Sequence, residues 1–204
     1  MAGQGDKKMI LGLDRIKVLI SNQDHPLISN LASREILNPE GAGIDIRVGN
    51  FYKLLDNDGG FLENDGNKRR RTPNVINSYK YQREISDADQ IFVDLNHLDY
   101  FLIETMERFA LPSGLVGLIF PRTTLLRSGV QLFSSVVSPG YGLNEGGSTL
   151  TFGIINLSHS PFRIQLGARI AQIIFFEING ESTLYRGQWQ NDHGKVHTDT
   201  ETQK

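Results

Sequence analysis

From residue 90 onward the chain is a succession of short apolar runs: QIFVDL, YFLIETMERFAL, GLVGLIFP, GVQLFSSVV, STLTFGIINL, FRIQLG and ARIAQIIFFEI. Clusters of Gly, Pro, Asn and Ser separate them. Strand-like pieces with turn signals every 8–12 residues or about that are the pattern of an all-β sandwich or barrel. Upstream, AGIDIRVGNFYKLL (42–55) sets Ile44, Ile46 and Val48 at alternate positions, the period of a half-buried strand. The mixed spacing of apolar residues over 9–31 predicts one short helix. The stretch DNDGGFLENDGNKRRRTPNVINS, from Asp56, is rich in Asp, Asn and Gly and predicts a hairpin tip or a mobile surface excursion. The tail from Ser182 is polar, with Tyr185 and Trp189 as its only large anchors, and reads as an arm. No solenoid period and no heptad is present. The expected organisation is therefore a β domain over 1–181, with a surface insert near 56–83, and a flexible C-terminal arm over 182–204.

Composition narrows the function classes. The 204 residues suit one domain, and 39% hydrophobic against 22% charged residues supply a real core, which excludes a wholly disordered chain. No apolar run approaches the ~20 residues of a membrane-spanning helix. Asp14 and Arg15 interrupt the apolar residues of the N-terminus, so it does not read as a signal peptide. With 23 acidic and 21 basic residues the net charge is -2, which argues against a general nucleic-acid binder. The basic run Lys68–Arg71 lacks interleaved aromatics and has acidic residues close upstream, so it reads as a solvated loop. There is no cysteine, hence no disulfide, thiol nucleophile or thiolate metal site. That also removes the zinc nucleobase deaminases, whose ligand set needs cysteines. A cytoplasmic location is the default, with no membrane and no zinc.

The segment Phe120-Pro121-Arg122-Thr123-Thr124-Leu125-Leu126-Arg127-Ser128-Gly129 lies between two strand-like runs and concentrates two arginines and three hydroxyls. Guanidinium forks and hydroxyls at a turn or helix start are what polyphosphate oxygens require. An exposed helix cap with solvated arginines is the alternative.

These residues carry a resemblance. PRTTLLRSG resembles the G-R-S-S-L-A-R-x-G motif of dCTP deaminases, and its leading Pro-Arg is similar to the P-R-S-G-L-A motif of trimeric dUTPases. GLDRI resembles the opening L-S-D-x-x-I helix, and Gly43-Ile44-Asp45-Ile46-Arg47-Val48-Gly49-Asn50 the x-x-D-L-R-L-G-N strand. Val137-Ser138-Pro139-Gly140-Tyr141 resembles I-D-P-G-W, Gly167–Gln172 the shared G-x-R-I-A-Q strand, and Tyr185–Gln190 the Y-x-G-K-Y-Q arm. The motifs keep the order of the dCTP deaminase and dUTPase superfamily and span most of 10–195. Arg127 and the long arm set the chain nearer the deaminase branch.

The resemblance implies a mainly β, distorted β-barrel or jelly-roll subunit of dUTPase type, with one short N-terminal helix. It implies a homotrimer with shared sites, dCTP or dUTP as partner, and Mg²⁺ held through the nucleotide's phosphates. Carried over by position, Arg122, Thr123, Thr124 and Arg127 hold the triphosphate, while Ser138, Pro139, Gly140 and Tyr141 face deoxyribose and base. Tyr141 is the aromatic floor that leaves no room for a 2′-OH; the alternative is a turn residue with its ring packed on the barrel. Gln172, Tyr185, Gln188 and Gln190 join the binding set.

Both family carboxylates are missing. The glutamate of the deaminases' L-E-x-x-N strand falls on Gly153, and the aspartate of the dUTPases' I-D-x-x-Y falls on Ser138. Deamination needs a base to activate water and protonate the departing amine. Glu145, at the tip of the Gly142–Gly147 loop, is the candidate replacement, the alternative being a solvent-facing turn residue. In the arm Asp192, His193, Lys195 and His197 are further polar groups, with Gln188 and Asp192 standing where the family has lysine and glutamine. The expectations are therefore dCTP deamination to dUTP and ammonia with dUTP hydrolysis possible beside it, a dUTPase, or a non-catalytic dNTP-binding regulator.

Overall fold

The computed structural model describes residues 9–64, 69–80, 91–143, 146–187, 189 and 201–202. The expected mainly β fold is present, as a curled, barrel-like sheet. Its spine is β2 (Ile44–Leu54), flanked by β7 (Tyr100–Thr105) and β14 (Arg169–Glu177). Beyond β7 lie β12 (Thr151–Asn156) and then β10 (Val130–Phe133); beyond β14 lie β9 (Leu115–Pro121) and then β11 (Val136–Val137). Every pairing is antiparallel.

β2 serves both halves by changing partner along its length. Ile44–Arg47 pair with β14, and Val48–Lys53 with β7, with a register shift between Val48 and Asn50. Gly49 stands at that shift, where a Cβ would lie 3.1 Å from the Thr105 carbonyl and the Met106 nitrogen. A side chain there would push β7 away, so this glycine lets the sheet curl.

The alternation of Ile44, Ile46 and Val48 buries all three, together with Phe51, Ile103, Ile154, Ile173 and Phe175. Phe51 meets Phe101 edge to face at 5.8 Å. Helix α1 (Leu13–Ile20) buries Ile16 against this core. The helix expected within 9–31 thus covers only its middle; β1 (Ile28–Ser29) follows and pairs with β8 (Arg108–Phe109). Two short helices, α2 (Ser33–Leu37) and α3 (Thr123–Arg127), were not anticipated by periodicity, because five residues hold too little of it.

Other runs are subdivided. YFLIETMERFAL breaks into β7 and β8 because the chain bends at Met106–Glu107, where the Glu107 carboxylate turns inward onto Arg47 at 2.6 Å. QIFVDL supplies β6 (Phe92–Leu95), which pairs with β13 (Phe162–Gln165).

The insert is more ordered than a solvated loop. β3 (Phe61–Leu62) and β4 (Arg69–Arg71) form the expected hairpin, and β5 (Val75–Lys80) joins the main sheet on β2. The basic run is corrected: Arg69 pairs with Glu63 at 2.8 Å and Arg71 with Asp58 at 2.9 Å. Lys68 lies outside the described residues. The upstream acidic residues thus face the arginines across the hairpin. The far tail returns to the same hairpin, β15 (Glu201–Thr202) pairing with β4. Among the described residues no helix is long and apolar enough to cross a membrane.

Candidate functional site

The arginine and threonine segment begins where β9 ends. Arg122 is extended (φ -68, ψ 145) and caps α3, whose Leu125 is buried and pins the turn to the core. Thr123 and Thr124 open α3 and Arg127 ends it, and all three are exposed.

Arg122 is held. Its backbone N–H donates to the Ile170 carbonyl at 3.2 Å, and its guanidinium donates to Asp45 Oδ2. Arg169 reaches the same oxygen at 2.7 Å, and Arg34 stands 3.7 Å from it. Asp45 is 3% exposed, and among the described residues its buried Oδ1 has no hydrogen-bond partner. Arg34 also pairs with Glu35 at 2.7 Å, and Glu35 accepts the Asp45 N–H at 3.2 Å. Three guanidiniums therefore converge on one buried carboxylate beside the exposed threonines. Gln172 lies on β14 in the rung between Asp45 and Phe120, against Gly43, which places it with this cluster.

A cavity of about 450 Å³ opens beside β11 and the turn that follows it. Gly140 N–H donates to Leu111 O at 2.8 Å, and Leu111 N–H returns to Tyr141 O at 2.9 Å, fixing that turn. Tyr141 donates its hydroxyl to Thr149 O at 2.7 Å and lies edge-on to Tyr185 at 5.6 Å. Tyr185 N–H is bonded to Pro139 O at 2.7 Å, which seats the start of the arm on the turn.

Ser138, Tyr141 and Tyr185 line the cavity, as does Trp189. Pro139 and Gly140 shape its turn. The Tyr141 ring packs in the core cluster and also forms cavity wall. The wall from Thr72, Pro73 and Val75 in the insert was not foreseen, because none of the motifs read in the sequence falls on the insert. None of the described residues in 122–127 lines the cavity, so on one chain the arginine segment and the cavity are separate places.

The vacant carboxylate positions have structural counterparts. Leu102 on β7 faces Gly153 on β12, and Tyr100 lies two residues back along β7. The phenol of Tyr100 occupies the space that a side chain at 153 would need. Burial raises the pKa of that phenol above its ordinary value, so it stays neutral. Two rungs further along, Glu104 faces Thr151. Glu104 is buried and accepts hydrogen bonds from Tyr52 and Thr149 hydroxyls, each at 2.6 Å, and from the Asn50 amide. Burial first, and then Glu104, push the Tyr52 phenol well above its ordinary pKa. Sequence reading missed Glu104 because its partners come from β2 and from Thr149, about fifty residues away on either side.

Among the described residues no carboxylate lines the cavity, and no group of three His, Cys, Asp or Glu is placed to hold a metal. Glu145, Gln188, Gln190, Asp192, His193, Lys195 and His197 lie outside the described residues. The hairpin that carries Glu145 is closed at its base, where Gly147 N–H donates to Gly142 O at 2.9 Å. Gly142 has φ 73, and a Cβ there would collide with the Phe109 carbonyl. Only glycine fits that position.

Residues 10–178 match the dCTP deaminase-like family model. A deoxyuridine 5'-triphosphate nucleotidohydrolase of Methanocaldococcus jannaschii is 28% identical over 170 residues, 83% of this chain and 96% of the relative. A dCTP deaminase of Pyrobaculum islandicum is 26% identical over 189 residues, 91% of this chain and 94% of the relative. Among solved structures, a 2'-deoxycytidine 5'-triphosphate deaminase from Agrobacterium tumefaciens superposes with a TM-score of 0.57 at 16% identity. That likeness covers 82% of this chain and 46% of the other, and shows the fold.

Proposed function

The chain belongs to the dCTP deaminase-like family, and from that premise we propose that it is a cytoplasmic deoxynucleotide enzyme that hydrolyses the exocyclic amine of dCTP to give dUTP and ammonia. The observation that carries the proposal is the cavity, whose volume of about 450 Å³ falls in the range of small-ligand sites. It is walled by Tyr141, Tyr185 and Trp189 and edged by the hydroxyl residues Thr72, Ser135, Ser138 and Thr151. Aromatic walls suit a flat base. A hydroxyl can donate or accept, so this edge admits the donor of cytosine or the acceptor of uracil. That supports dUTP hydrolysis, to dUMP and diphosphate, as an accompanying activity.

In this reading Arg122, Thr123, Thr124 and Arg127 grip the triphosphate, with Asp45 and Arg169 setting the direction of Arg122. The donor set fits a Mg²⁺ that arrives on the nucleotide: guanidiniums and hydroxyls address phosphate oxygens, and magnesium keeps much of its own water shell. Such an ion supplies charge neutralisation at the phosphates. Glu145 accepts the proton of the attacking water. The barrel over 1–181 carries the site, and the arm over 182–204 covers it through Tyr185, Gln188 and Gln190.

The separation of cavity and arginine segment supports a homotrimer in which a neighbouring copy completes each site. Light scattering at micromolar concentration is expected to give three chains per particle; a monomer would remove the shared-site arrangement.

Arg127→Ala is expected to weaken triphosphate binding about tenfold or more with an unchanged melting temperature, since its guanidinium is exposed. Arg122→Ala is expected to weaken binding similarly and also to lower stability, because Asp45 loses a partner. Arg127→Lys restores only part, a point charge being no substitute for the fork. Parent-like affinity in both alanine variants would show the phosphate assignment to be wrong.

The deciding experiment is incubation with dCTP and with dUTP, each with Mg²⁺, resolving base and phosphate products. Ammonia from dCTP identifies the deaminase, and dUMP from dUTP the dUTPase. Tight binding of either with no product identifies a dNTP-binding regulator, the reading favoured by the Tyr100 phenol standing where the deaminase glutamate belongs.

A further inference from the structure

Thr72, Pro73 and Val75 reach the cavity from the insert, and one carboxylate holds them there. Asp58 accepts Arg71 Nη2 on both of its oxygens, at 2.9 and 3.1 Å. It also accepts the Asn74 backbone N–H at 2.7 Å and the Asn74 amide at 2.6 Å. Arg71 and Asn74 bracket Thr72 and Pro73, so both ends of this short wall finish on Asp58. Asn74 O accepts the Leu55 N–H at 2.7 Å, which ties the bracket to β2. Pro73 adds a fixed φ between the two anchors. The Asn74 N–H above all, and then Arg71, hold the Asp58 carboxyl below its ordinary pKa, so the clamp is charged at neutral pH.

We infer that residues 71–75 of the insert are a preset wall of the pyrimidine-nucleotide pocket, and that Asp58 is the positioning residue that sets it. The inference rests on the reading of this cavity as the nucleotide site. A loop that must order around its ligand spends conformational entropy on binding, whereas a wall clamped beforehand does not. Asp58 touches no reacting atom, so its contribution falls on affinity and on KM, and kcat is spared.

The insert contains its own control. Arg69 and Glu63 form a second two-point ion pair, at 2.8 and 3.1 Å, nearer the hairpin tip, and neither residue lines the cavity. The chain also has a single tryptophan, Trp189, in the cavity wall, so its fluorescence reports the pocket with or without nucleotide.

In Asp58→Asn, acrylamide quenching of Trp189 is expected to rise, and dCTP and dUTP to bind about tenfold more weakly with kcat nearly unchanged. Pro73→Gly, which leaves the Asp58 clamp in place, is expected to weaken binding in the same direction. Glu63→Gln is expected to match the parent in both readouts. Parent-like quenching and affinity in Asp58→Asn overturns the wall, as does an equal loss from Glu63→Gln. A parent that binds neither nucleotide overturns the nucleotide reading of the cavity, and the quenching comparison then still decides whether Asp58 sets the wall.

Discussion

Glu145→Gln is expected to lower turnover about 10²–10⁴-fold while leaving nucleotide affinity and the fold as they are, the usual contribution of a general acid–base group. Breaking either the C4–N bond of cytosine or the phosphoanhydride of dUTP requires a group that takes a proton from water. The two positions expected to carry it supply none: Gly153 has its side-chain space taken by Tyr100, and Ser138 carries a hydroxyl. Glu104 is close in the sheet but already accepts from Tyr52, Thr149 and Asn50, which makes it a support for that face of the sheet. Glu145 follows Tyr141, whose ring lines the cavity, by four residues, in the loop that the Gly147–Gly142 hydrogen bond closes. Steady-state rates for dCTP and dUTP check this. An active parent whose Glu145→Gln variant turns over equally fast would move the role to Asp192 in the arm.

Arg47→Ala is expected to destabilise the fold by about 3 kcal/mol at neutral pH, the lower end for breaking a buried pair because Arg47 is itself 20% exposed. Glu107 is fully buried and accepts Arg47 Nε at 2.6 Å and the Arg47 backbone N–H at 2.8 Å. The same guanidinium donates to Asn30 O at 2.6 Å. Alanine keeps the backbone bond and leaves a buried carboxylate without its counter-ion. Burial already holds the Glu107 pKa above its ordinary 4.5, with Arg47 pulling the other way. A carboxyl whose pKa is raised in the folded state favours folding fully below its ordinary value, and loses that contribution as pH rises through the folded value. Without Arg47 the folded pKa rises further, so the penalty is expected to shrink on acidification from pH 7.5 toward about pH 5. Urea unfolding at several pH values checks it. A penalty constant across that range would assign the effect to packing of the Arg47 stem.

Arg47 also shows where motif reading stops. It was legible as one letter of a family-like strand, and its work in the fold is to hold the bend between β7 and β8. The arginine and threonine segment was legible as a unit because its residues are neighbours in sequence, with Thr123 and Thr124 opening α3. The arginine cluster was not: Arg34, Asp45, Arg122 and Arg169 meet across as many as 124 residues. The insert was misread for a similar reason. Its charges looked like solvated surface until pairing of β3 with β4 set acid against base and aimed Thr72 and Pro73 into the cavity.

By itself the sequence determined the β class, the family and the order of the motifs. Period-two alternation and turn residues act over a few residues and need no tertiary partner. The expectation that Gly153 and Ser138 stand at the family's carboxylate positions also rests on residue identity alone. Tertiary structure decided what surrounds them. Whether Gly153 is an empty slot or filled space depends on Tyr100 on the neighbouring strand, and whether Glu104 is free or satisfied depends on β2 and Thr149. Cross-strand register governs those contacts, and register is set by how the whole sheet closes on its core, which no local pattern contains.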